Sequence, residues 1–290
     1  MSKKLVFNGN VYSESDPVLK ASNRAFLYGD GVFETFRVFK GIPLFITDHW
    51  SRLTSGLQVL KIQKPESFNV QRLQFHIRNL VKENGIEDGA RARISMFRNP
   101  GGKYTPVDMG MSYTLQLEGL KNPFFELNKQ GRSLGVFTEF PRLKNPLSSF
   151  KTLNCHASVM GGIWAQENGF DEALLVNGDG EIIEATSGNL FWVKEGKVFT
   201  PPNNTGAVAG ITRMHIVNYC IQATIPCFEM VPTEAVLLEA DEIFTTNAIQ
   251  GVQWINRYKD KRYFNKFSKY FIDQLNESMI NSWKDLRVIE

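Results

Sequence analysis

Two residues in the middle of this chain have the type and setting for proton chemistry on an amine. Lys151 stands between Leu147-Ser148-Ser149-Phe150 and Thr152-Leu153-Asn154. Thirty-three residues later Glu184 ends an apolar run and opens the turn Ala185-Thr186-Ser187-Gly188-Asn189. An amine held near a carboxylate suits pyridoxal phosphate catalysis: the amine forms a Schiff base with the aldehyde and later moves protons, while the carboxylate keeps the pyridine nitrogen protonated. From spacing alone the plainer alternative is a loop cation and a strand-end carboxylate, since charged loop residues are usually only solvated.

The elements that must position these residues follow from periodicity. Leu5 to Phe7 and Val11-Tyr12, joined at Asn8-Gly9-Asn10, predict a hairpin. Gly29 and Gly31 allow close backbone approach ahead of an alternating strand that runs to Phe39. Trp50, Leu53, Leu57 and Leu60 recur at helical spacing, as do Leu73, Ile77, Leu80 and Val81, with Gly85 placed to end the second helix. His49 is expected to cap or pack. Ala92 to Phe97 and Met111 to Leu117 predict strands around the loop Arg98-Asn99-Pro100-Gly101-Gly102-Lys103-Tyr104, which is long enough to line a site.

Turn formers at Glu118 to Pro123 place a domain boundary there, giving domains 1–120 and 121–290. Beyond it come a strand at Val136 to Phe140 and a helix with Ala157, Met160, Ile163 and Trp164 on one face, ended by Asn168-Gly169. Next is an antiparallel meander from Ala173 to Thr200 with a tight turn at Asn177-Gly178-Asp179-Gly180. Gly206 to Arg213 open a helix whose amides and Thr212 hydroxyl make a ready phosphate site, although most such starts are only capped helices. Glu242-Ile243-Phe244 leads to Thr245-Thr246-Asn247-Ala248, and Phe267, Phe271, Leu275 and Met279 mark a closing helix.

Composition removes several classes. A net charge of +3 over 290 residues, without long Lys/Arg runs, leaves no footprint for nucleic acid. No apolar run reaches about 18 residues and the N-terminus lacks an apolar signal region, so no membrane span is expected and cytoplasm is the default. Three cysteines, Cys155, Cys220 and Cys227, fit reduced thiols in a cytosolic protein. Cys155-His156 is a poor nucleophile-base pair, because adjacent helical residues project apart, and a buried thiol is expected at Cys155 instead. The Gly-x-Gly pair at Gly29 precedes a strand and lacks the third glycine of a dinucleotide loop, and no zinc or P-loop spacing occurs, so no metal is expected.

Several ordered motifs together carry a resemblance. Lys151-Thr152-Leu153-Asn154, then Gly169 to Val176, Glu184 to Phe191, Thr200-Pro201-Pro202 and Gly210-Ile211-Thr212-Arg213 look like the signature of the class IV aminotransferases, the fold type IV pyridoxal phosphate enzymes. The match runs from about Asn8 to about Ile255. It implies an α+β protein with a small N-terminal domain and a larger C-terminal domain with a barrel-like β core. It also implies a homodimer and a small amine or amino acid as substrate.

Carried over residue by residue, the resemblance makes Lys151 the cofactor lysine and proton-shuttling base, and Glu184 the partner of the pyridine nitrogen. Arg52, Ile211, Thr212, Asn247 and Ala248 would hold the phosphate, and Val208 would pack on the ring. Phe33, in the family's active-site entry strand, together with Arg98 and Lys103 would lie toward the substrate. Aminodeoxychorismate lyase fits better than an amino acid aminotransferase on three details. Arg142 to Leu147 resembles the lyase's R-x-x-x-N-P, Phe33 replaces the tyrosine of D-amino acid aminotransferases, and the Arg98–Tyr104 loop resembles the lyase loop and lacks an R-x-H carboxylate trap. Lys103 stands where that loop offers arginine, without arginine's bidentate fork. A non-catalytic binding protein retaining the fold is the alternative from another class.

Overall fold

The computed structural model describes residues 3–287, with side chains through Asp285. The chain divides into two compact units. The first holds the chain through Phe124, the short segment Phe150–Asn154 and the end of the chain from Met279. The second holds Phe125–Ser149 and Cys155–Ser278. The boundary expected at residue 120 therefore lies at Phe124, and the Lys151 segment groups with the first unit although the chain on both sides of it belongs to the second. Three residues, Lys151 to Leu153, pair with a strand of the first unit and outweigh sequence proximity, which is why composition alone did not reveal the excursion.

The first unit is a six-stranded antiparallel sheet with helices against one face. Its strands are β1 (Lys4–Phe7), β2 (Asn10–Ser13), β3 (Gly31–Phe39), β4 (Ile42–Pro43), β5 (Gly89–Arg98) and β6 (Met111–Gly119), in the order β2-β1-β6-β5-β3-β4. Helices α1 (Arg24–Tyr28), α2 (Ile46–Val59) and α3 (Val70–Glu83) complete it. The Asn69 side chain caps α3 by accepting from the Arg72 amide at 2.9 Å. The predicted stripes are the buried ones: Leu53 and Leu57 of α2 and Leu73, Ile77 and Leu80 of α3 join Val32, Phe36, Ile94 and Leu115 of the sheet in one core.

The second unit is a nine-stranded mixed sheet that curls into a half-barrel. Its strands are β7 (Arg132–Arg142), β8 (Glu172–Asn177), β9 (Ile182–Ala185), β10 (Asn189–Lys194), β11 (Lys197–Thr200), β12 (Cys227–Glu229), β13 (Glu242–Asn247), β14 (Gly251–Tyr258) and β15 (Lys261–Arg262). The order is β12-β11-β10-β13-β14-β7-β8-β9, with β15 on β14. Helices α4 (His156–Glu167), α5 (Ile211–Gln222), α6 (Glu234–Glu239) and α7 (Lys266–Arg287) accompany it. Leu134, Leu174, Leu190, Trp192, Ile243 and Ile255 form its core with Leu237 of α6.

Two sequence expectations change here. The buried side of α4 is Gly161 and Ala165, with Trp164 packed alongside, while Met160 and Ile163 are exposed. A Cβ at Gly161 would come within 2.8 Å of Leu175, so glycine sets the close helix-sheet approach that an apolar stripe could not signal. The helix expected from Gly206 begins at Ile211; Gly206, in the left-handed region at φ 105°, ends a short 3-10 turn. Among the described residues, no helix is long and apolar enough to cross a membrane.

Candidate active site

In the first unit, strand alternation aims β3 two ways. Val32, Glu34 and Phe36 are buried, and Glu34 reaches α2, where it accepts from Arg52 at 2.6 and 2.7 Å and bonds His49 Nδ1 at 2.7 Å. Burial works to raise the Glu34 pKa, but the Arg52 charge and the hydrogen bonds from His49 and Arg52 overcome it and bring it from 4.5 to about 2. Burial lowers the His49 pKa against the pull of Glu34. The ring is therefore neutral near pH 7, and it must donate to a carboxylate that can only accept. Arg52 is thus held in one plane by Glu34.

This arrangement gives a signed pH dependence. Because the folded pKa of Glu34 lies below its unfolded value, its stabilisation is present above about pH 4.5 and is lost as pH falls toward 2. A loss on the order of 3 kcal/mol is expected in that window. Denaturant midpoints measured across it should fall less steeply in Glu34→Gln than in the wild type; parallel slopes would remove Glu34 from the account.

Phe33 points the other way, and Lys151 meets it there. The Phe33 amide donates to the Lys151 carbonyl at 2.8 Å, Leu153 donates to Gly31 at 3.0 Å, and Val32 bridges Thr152. The Lys151 segment is therefore an added edge on β3. Lys151 Nζ stands 5.1 Å from the Phe33 ring centre, and the Arg93 guanidinium carbon lies 3.8 Å from the same ring. Arg93 is opposite Thr35 in the β3–β5 register, and the buried Thr35 hydroxyl has no hydrogen-bond partner. Arg91 and Arg93 alternate with Ala90 and Ala92, a sign in the sequence of a sheet face carrying charge.

Gly31 admits the lysine segment. A Cβ there would stand 2.4 Å from the Met96 carbonyl oxygen and 2.9 Å from Leu153. Gly31→Ala should therefore cost about 1–3 kcal/mol by overpacking. Thermal unfolding checks this, and an unchanged midpoint would show that the close packing of Gly31 against β5 and Leu153 is not required for stability.

Arg98 is not available to a substrate in this arrangement. Its guanidinium is buried and donates to Asp30 at 2.9 and 3.2 Å, to Leu60 O at 2.6 Å and to Lys61 O at 3.1 Å. Arg24 joins it on Asp30 and also donates to the carbonyls of Gly101 and Lys103. Both arginines anchor the 99–110 loop, while Lys103 and Tyr104 are exposed on it.

In the second unit, Glu184 is buried on β9. One oxygen accepts from Arg142, and the other accepts from the Val208 amide at 3.0 Å. Asn189 donates to the Val208 carbonyl at 2.8 Å, so the Val208 segment is clasped between Glu184 and Asn189. Gly210 follows as N-cap of α5 and has no side-chain cap; a Cβ there would fall 1.8 Å from Asn189 Oδ1. Ile211 and Thr212 start the helix, both buried, with no acid in the first turn. Thr246 pairs with Asn189 across the β10–β13 ladder, and its buried hydroxyl is unpartnered. The Asn247 side chain, expected at the phosphate, turns back on its own loop and accepts from the Ile249 and Gln250 amides at 3.0 and 2.8 Å. Ala248 lies in that turn.

A second buried carboxylate supports the Glu184 turn. Glu172 accepts from Ser187 Oγ at 2.7 Å, from Ser187 N at 3.1 Å, from Thr186 Oγ1 and from Arg132 at 3.1 Å. Burial raises its pKa against those donors. It ties down the turn between Glu184 and Asn189. Cys155 is exposed at the start of α4, contrary to the buried thiol expected there.

The family profile described as "Amino-transferase class IV" matches residues 31–258. The chain belongs to the class IV aminotransferase family, and it is an enzyme of the lyase or aminotransferase kind that this family comprises. It is 30% identical over 267 residues to an aminodeoxychorismate lyase of Bacillus subtilis, covering 88% of this chain and 87% of that one. It is 28% identical over 255 residues to a D-alanine aminotransferase of Bacillus licheniformis, covering 86% of each. Its fold is shared with a branched-chain aminotransferase of Thermoproteus uzoniensis crystallised with norvaline, at TM-score 0.85 and 21% identity over 95% of this chain and 94% of that one.

Proposed function

We propose that this enzyme binds pyridoxal 5'-phosphate and acts as a 4-amino-4-deoxychorismate lyase, releasing pyruvate and 4-aminobenzoate. The residues fit the cofactor. Within the second unit, an uncapped helix start at Ile211 and Thr212, a Gly210 without a Cβ and the unpartnered Thr246 hydroxyl make an anion cradle; Arg52, held in plane by Glu34 in the first unit, is the cation the family resemblance assigns to the phosphate. Ile211 and Thr212 are assigned to the phosphate, the unpartnered Thr246 hydroxyl takes the place of the Asn247 side chain, Asn247 and Ala248 are left to contribute backbone amides, and Val208 is assigned to the ring face. When bound, the cofactor supplies a protonated conjugated ring that takes up the electron pair left by a departing substrate proton.

The remaining work falls to the chain. Glu184 holds the proton at the ring nitrogen, with Arg142 and the Val208 amide fixing its two oxygens. Lys151 takes the proton from the substrate carbon that bears the amine and returns one to the departing enolpyruvate. Arg93, beside Phe33, is the cation assigned to a substrate carboxylate in place of Arg98; Lys103 is kept as a weaker partner.

The observation that favours the lyase is the ring beside Lys151. It is phenylalanine, so residue 33 offers no phenol hydroxyl to bind an amino acid's carboxylate or relay its proton. Supplying aminodeoxychorismate should yield 4-aminobenzoate and pyruvate in equal amounts. Conversion of the cofactor to its pyridoxamine form by an L- or D-amino acid, with no 4-aminobenzoate, would make the enzyme a transaminase. We assign it to the cytoplasm as a homodimer, whose interface would cover the exposed Phe26, Tyr104 and Val107; sedimentation of the holoenzyme tests the dimer.

A further inference from the structure

The turn at residues 185–188 separates two groups that act on one segment. Glu184, ahead of it, accepts from the Val208 amide at 3.0 Å, and Asn189, behind it, donates to the Val208 carbonyl at 2.8 Å. The place of Val208, and of the α5 start shortly after it, therefore depends on the shape of this turn. The turn has little apolar burial to hold it, for Thr186 is half-buried and Ser187 exposed. Glu172, buried at the start of β8, supplies the anchor instead. Its Oε1 accepts from the Ser187 amide at 3.1 Å and from Thr186 Oγ1, and its Oε2 accepts from Ser187 Oγ at 2.7 Å and from Arg132 at 3.1 Å. Close packing bounds the turn on two other sides. A Cβ at Gly188 would stand 2.2 Å from the Thr246 carbonyl oxygen, and one at Gly161 of α4 would stand 2.7 Å from Thr186 Cγ2.

We propose that Glu172 is a positioning residue for the cofactor: through Thr186 and Ser187 it sets Glu184 and Asn189 around Val208, and so couples the ring-nitrogen end of the site to its phosphate end. The inference rests on the assignment of Glu184 and the α5 start to pyridoxal phosphate. A carboxylate is what this place requires, because every partner on its two oxygens is a donor. An amide there must turn its NH₂ toward one pair of those donors. The turn then loosens, and because Glu184 and Asn189 flank it, both clasps on Val208 slacken together.

The test compares Glu172→Gln and the milder Ser187→Ala with the wild type in two readouts. The first is the dissociation constant of pyridoxal phosphate, from equilibrium dialysis of the full-length holoenzyme. The second is hydrogen exchange of the peptide containing Val208 in the same protein without cofactor, at a temperature where thermal unfolding shows it folded. Glu172→Gln should weaken cofactor binding about tenfold and speed exchange of the Val208 amide. Ser187→Ala should shift both in the same direction by less, and it decides the matter alone if Glu172→Gln does not fold. Affinity and exchange both unchanged would overturn the proposal even if the unfolding midpoint falls, because Glu172 would then serve the fold only. So would weaker binding with Val208 exchange unchanged. A wild type that takes up no pyridoxal phosphate would overturn the cofactor reading itself, a failure seen without either variant.

Discussion

Lys151→Ala is expected to lower kcat by at least about 10³-fold, because it removes both the covalent anchor and the proton carrier. Stability should change little. The pairing of this segment with β3 runs through the Lys151 carbonyl, which alanine keeps, and the contact of Nζ with Phe33 is worth about 0.5–1 kcal/mol. Steady-state kinetics beside thermal unfolding separates the two effects. Activity within tenfold of the wild type, in a folded protein, would return Lys151 to the status of a loop cation.

Glu184→Gln carries the second large effect. The amide retains the shape and can still accept from the Val208 N–H, yet it cannot balance the Arg142 cation or hold a ring proton as a carboxylate does. A fall in kcat of about 10²–10⁴-fold is expected, with KM changed much less. Loss of the Arg142 ion pair should add a stability cost of about 1–3 kcal/mol. A substrate turnover that is unaffected, with stability lowered by that amount, would make Glu184 a structural carboxylate that only clasps the Val208 segment.

Local rules were sufficient for β3, where alternation separated Glu34 from Phe33, and for α2 and α3, whose predicted stripes are their buried faces. Glu34 itself shows the limit. Nothing local said that its partners would be His49 and Arg52, two residues of a helix that begins seven residues after β3 ends.

Long-range pairings were out of reach for the same reason. Arg142 meets Glu184 across 42 residues, and Arg93 reaches Phe33 only because β3 and β5 are neighbours in the sheet. Arg98 was drawn toward the substrate by its loop, but Asp30 and two helix-end carbonyls hold it in the framework. Asn247 and Thr246 traded places in a similar way: the amide side chain closes its own turn, and the neighbouring hydroxyl is the one left without a partner. Side chains that can satisfy themselves locally do so, and periodicity does not record which ones cannot.

The most direct measurement is to reduce the purified, pyridoxal-phosphate-loaded protein with borohydride, digest it and locate the cofactor by peptide mass. One pyridoxyl group per chain is expected, carried by the peptide containing Lys151, together with loss of the visible absorption of the lysine-bound cofactor. A group on another lysine, or no attachment under saturating cofactor, would contradict the assignment of Lys151 on which the proposed reaction rests.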